Sequence, residues 1–150
     1  MFLKKSELKT RANADIIDAI TRNDDTIVDM IISESISLMK GYLNARFDTD
    51  AIFSATAPPD PVPEGDPVPE GDQRDAVVLK MLKDIVIYEI YSLHNPNIVA
   101  QAVTNNMERA MEWLRGVQSL RINPDLPKHP DPETIHYILN GSNPQRIQHY

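Results

Sequence analysis

Two parallel apolar stripes run between Ile27 and Leu43: Ile27, Ile31, Leu38 and Tyr42 in one, Val28, Ile32, Ile36, Met39 and Leu43 in the other. Steps of three and four residues return a side chain to one side of an α-helix. The stripes therefore predict a helix with a wide buried face, capped by Asp24 or Asp25 and ending near Arg46. A second run, from Val77 and Val78 through Met81, Leu82, Ile85, Val86, Ile87, Ile90 and Tyr91, places apolar groups on almost every side of a helix. That helix is expected from about Gln73 to Asn95, where Asn95-Pro96 stops it. It is packed on several faces, either as the centre of the domain or at a subunit interface, and both placements suit an oligomer.

A third helix, about Ile98 to Val117, carries Val99, Val103, Met107, Ala110, Leu114 and Val117 on one side and Glu108, Arg109, Glu112 and Arg115 on the other, and Gly116 marks its end. Ser6 to Lys9 and Asp15 to Ile20 read as short capped turns, too brief to stand alone. The alternation in Ser119-Leu120-Arg121-Ile122 predicts a short strand. Beyond it the chain reads as an extended tail with one turn of helix at Asp131 to Leu139.

Prolines fall where the helical pattern lapses. Six of the twelve (Pro58, Pro59, Pro61, Pro63, Pro67, Pro69) lie in one segment and five (Pro124, Pro127, Pro130, Pro132, Pro144) follow position 123, leaving only Pro96. Proline cannot continue a helix, so both stretches are boundaries. The expectation is an all-α chain. A compact bundle of three long helices plus short N-terminal helices would occupy 1–122, with a long acidic Pro-rich loop at 48–72 and an extended C-terminal tail at 123–150.

Charge sharpens the picture of the loop. From Phe47 to Asp75 there are eight acids, Asp48, Asp50, Asp60, Glu64, Asp66, Glu70, Asp72 and Asp75, and one base, Arg74, which alone accounts for the net charge of -7. Of the 15 bases and 22 acids, 14 of each remain for the rest of the chain. No face is then expected to carry the dense basic excess that phosphate binding requires, which argues against direct nucleic-acid binding. The loop holds a perfect tandem repeat, Pro61-Val62-Pro63-Glu64-Gly65-Asp66 followed by Pro67-Val68-Pro69-Glu70-Gly71-Asp72. Such a composition buries too little apolar area to fold and predicts a solvated, polyproline-like excursion, either a duplicated linker or a charged projection toward a partner or channel.

The length of 150 residues suits one ordinary domain with one core, and the 41% hydrophobic content is enough to build it. No apolar run approaches the roughly 20 residues of a membrane span, and Met1-Phe2-Leu3-Lys4-Lys5-Ser6 has no apolar stretch or cleavage site of a secretory signal. Having no cysteine excludes disulfides and thiol chemistry and suits a reducing compartment.

Candidate chemistry is sparse. His94, His129, His136 and His149 lack the close pairing of a metal site, and the flanking Asp131 and Glu133 do not make one. None of Ser33, Ser35, Ser37 and Ser54 lies in a glycine-rich elbow, and the first three sit within a helix, where small residues serve close packing. Carboxylates such as Asp29 with Glu34, or Asp84 with Glu89, fall at exposed or rim positions. The five glycines are too scattered to cradle a phosphate. Trp113, Tyr88 and Tyr91 read as core packing. No catalytic residue, cofactor or metal is expected. In the tail, Ile135, Tyr137, Ile138, Leu139, Ile147 and Tyr150 are apolar groups stranded outside the core, which suggests docking onto another chain.

Four pieces resemble, in order, the head-to-tail connector (adaptor, head-completion) proteins of long-tailed bacteriophages. They are Phe2-Leu3 with Ser6-Glu7-Leu8, then Tyr42-Leu43-Asn44-Ala45-Arg46-Phe47-Asp48, then Asp84-Ile85-Val86-Ile87-Tyr88-Glu89-Ile90-Tyr91, and finally Ala110-Met111-Glu112-Trp113-Leu114 leading to Ser119-Leu120. The resemblance covers about residues 1 to 122. It implies a helical bundle without enzymatic activity, many copies of which, a dodecamer in such families, form a ring between the portal protein and a tail or stopper protein. DNA would pass through without specific binding. The location implied is the virion neck, and the host cytoplasm during assembly. On this reading Ile135, Tyr137, Ile138, Leu139, Ile147 and Tyr150 contact the portal, and Asp60, Glu64, Asp66, Glu70 and Asp72 form an acidic surface. The alternative from the residues is a small DNA-binding packaging or regulatory protein with a helix-turn-helix near Ser6 to Ile20, where Lys4, Lys5, Lys9, Arg11 and Arg22 gather.

Overall fold

The structure, a computed structural model, describes residues 1–57, 71–94 and 99–129. The acids Asp60, Glu64, Asp66 and Glu70 and the apolar tail residues Ile135, Tyr137, Ile138, Leu139, Ile147 and Tyr150 lie outside them, as does the turn expected at Asp131 to Leu139.

Chain order is a 3-10 helix (Lys5–Thr10), α1 (Ala14–Thr21), α2 (Asp25–Leu43), α3 (Thr49–Ser54), α4 (Ala76–His94) and α5 (Gln101–Gln118). The fold is all-α. Helices α1 to α4 each start where a short polar side chain satisfies the first free N–H groups, whereas α5 starts after Ala100 without a side-chain cap. Asn13 accepts from the Asp15 N–H, Asp24 from that of Thr26, and Asp48 from those of Asp50 and Ala51. Asp75 serves α4 in the same way, taking the Val77 and Val78 N–H groups.

α4 is the central helix. Val78, Met81, Leu82, Asp84, Ile85, Val86, Ile87 and Ile90 are all buried, with α1, α2 and α5 packed around it. Most of its apolar pattern is thus consumed within one chain, while Val77 remains exposed. α2 buries Val28, Ile32, Met39 and Leu43, one of the two expected stripes, whereas of the other only Ile31 is buried and Leu38 is exposed. α5 lays Ala110, Leu114 and Val117 on the core and turns Glu108, Arg109, Glu112 and Arg115 to solvent. Trp113 and Tyr91 are half-buried against the core.

Three expectations are corrected. The stretch Ser119 to Ile122 is not a strand. Gly116 lets the chain double back, since a Cβ there would meet Ile122 Cδ1 at 2.6 Å, and the reversal passes through Leu120 at φ 65°. The first residues of the supposed loop form α3, because Asp48 caps it and Ile52 is buried under it while Phe53 stacks edge-on with Phe2 at 5.0 Å. The start of the supposed tail is a strap on the body. Asp48 N donates to Pro127 O at 2.9 Å, Phe47 and Lys128 make an isolated antiparallel bridge, and Leu126 is buried.

Candidate functional site

The ends of both proline-rich stretches come together at one end of the bundle. A cavity of about 230 Å³ is lined by Ala51, Ile52 and Ala55 from α3, Gln73 and Asp75 at the entry to α4, and Asp125, Leu126 and Pro127 of the strap. The chain thus leaves for the acidic stretch, returns from it and heads for the C-terminus around one hollow. Two arginines fix this arrangement.

Arg46 lies just past α2. Its Nη1 donates to Val117 O (2.9 Å) and Ile122 O (3.2 Å), its Nη2 donates to Asn123 Oδ1 (2.7 Å), and its guanidinium stands 5.1 Å over the Phe47 ring. A cation thus reaches the Val117 carbonyl in the last turn of α5, the favourable sign at a helix C-terminus. Farther along the strap, His129 Nε2 lies 2.7 Å from Asn44 O, at the end of α2.

Arg74 is the more buried of the two, with a side chain only 1% exposed. Nε donates to Asp72 Oδ1 at 2.8 Å and Nη2 to Asp72 Oδ2 at 2.6 Å, while Nη1 donates to Glu7 Oε2 at 2.9 Å and also to Phe2 O. Glu7 Oε2 in turn accepts the Lys4 N–H at 2.9 Å. The knot ties the return from the acidic stretch to the N-terminal arm. Burial pushes the Glu7 carboxyl up, but the hydrogen bonds from Arg74 and the Lys4 N–H hold it below its ordinary value; the Arg74 hydrogen bonds lower Asp72. Arg74 itself is pushed up by its hydrogen bonds to Glu7 and then Asp72. Of the acidic-surface residues named from sequence, Asp72 is the one described, and it is an internal ligand of Arg74.

Two of the N-terminal basic residues are likewise engaged. Lys5 Nζ lies 2.6 Å from both Asp18 Oδ1 and Asp25 Oδ1, and its hydrogen bonds to these acids raise its pKa. Arg11 Nε is 3.4 Å from Asp84 Oδ1. Leu8 and Ile17 turn the 3-10 helix and α1 into the core. This is packing.

Asp84 corrects another expectation. It lies at no rim: its side chain is 6% exposed, and burial pushes its carboxyl up while Arg11, Lys80 and Arg109 pull it down. Three cations, Arg11, Lys80 and Arg109, thus act on this one carboxylate.

Among the described residues no group of three His, Cys, Asp or Glu is placed to hold a metal ion, and no helix is long and apolar enough to cross a membrane. No family model, curated protein or solved structure matches the chain.

Proposed function

We propose that this protein is a structural subunit of a bacteriophage neck, several copies of which form a ring joining the capsid portal to a tail or stopper protein and letting DNA pass. In this proposal the acidic Pro-rich loop and the C-terminal tail are the docking parts and the helical bundle is their mount. The chain would act without catalysis or a cofactor, in the virion and, during assembly, in the host cytoplasm.

The observation that supports this reading best is the convergence at one end of the bundle. Arg46 and Arg74 spend buried or half-buried hydrogen bonds on fixing where two low-complexity segments leave the body. A protein that merely tolerated those segments would have little reason to brace their roots, whereas a docking protein needs them aimed. The ordered resemblance over residues 1 to 122 supplies the class of partner.

The test combines genome context with binding. A portal gene and a major capsid gene next to this one identify the portal to express. The full chain is expected to bind that portal, and a chain ending at His129 is expected to lose binding while keeping its helical circular dichroism. Full binding by the shortened chain would remove the tail assignment, and no binding by the full chain would remove the connector reading.

A further inference from the structure

Leu120 combines two features that a folded chain ordinarily avoids. It stands in the left-handed backbone region at φ 65°, just past the end of α5, where the Ile122 N–H returns to Gly116 O at 3.0 Å. Glycine or asparagine normally takes that place, because a β-carbon crowds the backbone there. The other two non-glycine residues with positive φ, Arg22 and Asn23, are polar, whereas Leu120 is 69% exposed, more than any other large apolar side chain among the described residues. The fold thus keeps a disfavoured backbone conformation and an apolar side chain in water at one position, which local stability does not explain. Elsewhere, the N-terminal arm and α2 enclose a groove of about 370 Å³ whose apolar lining is Met1, Phe2, Ile32 and Ile36. Neither α5 nor the turn after it contributes to that lining. Asp29 and Lys40 are the first and last α2 residues along it; Lys40 is held by Asp50 at 2.7 Å, while Asp29 is exposed and has no ion pair among the described residues.

We infer that Leu120 of one copy of this chain seats in the groove between the N-terminal arm and α2 of a second copy. The groove is large enough, since a cavity of about 150 Å³ already takes a benzene ring. Its walls have the right character: they are apolar, and Met1, itself 57% exposed, can adapt its unbranched side chain to an incoming group. The charges beside the contact are complementary. Arg121 directly follows Leu120, is exposed, and among the described residues donates only to Ser119 Oγ, at 3.1 Å, which leaves its charge to meet Asp29 at the groove. Because the knob and the groove are different surfaces of one chain, every copy offers one of each and the contact is head-to-tail, the kind that closes into a ring. It rests on the ring reading above and deepens it by naming what neighbours touch.

The experiment uses only this chain, so its failure is separable from failure to bind a portal. Sedimentation velocity at about 0.1 mM, which reads contacts much weaker than micromolar, is expected to show the parent self-associating. Leu120→Gly is expected to associate at least about tenfold more weakly, as the loss of one buried apolar side chain implies, yet to unfold at a higher temperature because glycine relieves the left-handed backbone. A Leu120 that served only the fold would give a less stable variant instead. Ser33→Phe puts a ring into the groove from an exposed position of α2 and is expected to lose association to the same extent with unchanged circular dichroism. Mixing the two variants is expected to yield pairs, since the first keeps the groove and the second keeps Leu120. Asp29→Arg and Arg121→Asp are each expected to weaken association about threefold, and the chain carrying both is expected to recover it. The inference is overturned if the parent stays monomeric, if Leu120→Gly is less stable or either it or Ser33→Phe associates like the parent, if their mixture forms no pairs, or if the charge-swapped chain does not recover. Portal binding that needs Leu120 while the parent stays monomeric would overturn it in favour of that partner.

Discussion

Arg74 is the single base between Phe47 and Asp75, and in the folded chain its guanidinium holds two carboxylates and a backbone carbonyl. Removing one member of a buried charge cluster leaves the others unpaired, which is far costlier than the net worth of the cluster. Arg74→Ala should therefore destabilise the protein by about 3 kcal/mol, at the lower end for buried pairs because Glu7 and Asp72 keep some contact with water. Arg74→Lys should recover only part of that, since an ammonium cannot reproduce the fork; urea unfolding measures both. Because Glu7 and Asp72 lie below their ordinary values of 4.5 and 3.8, their stabilisation is present above those values and is lost as pH falls through the folded ones. The Arg74→Ala chain should accordingly show a flatter acid limb. Asp84 has the opposite sign. Its carboxyl is raised by burial, so its contribution is most favourable when protonated and declines as pH rises through the folded pKa. Asp84→Asn should stabilise the protein by about 1 kcal/mol at pH 7, and the gain should fade toward pH 4. Thermal unfolding of parent and variant across that range checks it. The sequence signalled neither residue's role. A lone arginine among acids reads as charge arithmetic, and a lone aspartate in a helix reads as solvated until the packing around it is known.

Periodicity made the three long helices legible to within a few residues: about Gln73 to Asn95 became Ala76–His94, and Ile98 to Val117 became Gln101–Gln118. It worked because α2, α4 and α5 are long enough for several turns to repeat one signal. It failed where a single contact decides. α3 is six residues long and owes its existence to the Asp48 cap and to Ile52 and Phe53 packing beneath the N-terminus. The reversal after α5 depends on the missing Cβ of Gly116, and Ser119 to Ile122 alternates like a strand without a strand to pair with among the described residues. The two helical glycines make this testable. A Cβ at Gly41 meets nothing within 4 Å, so Gly41→Ala should gain the usual helix-propensity difference, about 1 kcal/mol. The same change at Gly116 must displace Ile122, whose Cγ1 would lie at 3.0 Å, and should cancel that gain or reverse it. Denaturant midpoints of the two variants should move apart.

At the scale of the molecule, the division at residue 122 drawn from the prolines falls in the wrong place. Prolines mark where helices end, and the chain past Pro124 still carries Leu126, whose side chain has somewhere to go: the hollow beside α3 and the entry to α4. Arg46 with Asn123, the Pro127 carbonyl with Asp48, and His129 with Asn44 hold the strap at three further points. A chain ending at His129 should therefore unfold at the same temperature as the full protein. One ending at Ile122 loses the burial of Leu126 and those contacts, about 2 to 3 kcal/mol in all, and should melt several degrees lower. The comparison matters for function because deletion from Asn123 onward mixes two effects, a weakened body and a missing docking segment. Cutting after His129 removes Ile135, Tyr137, Ile138, Leu139, Ile147 and Tyr150 and leaves the brace intact. If only the shorter truncation is needed to abolish partner binding, docking resides beyond the strap; if binding survives it and fails only with the longer one, the strap and the hollow it fills are themselves the contact.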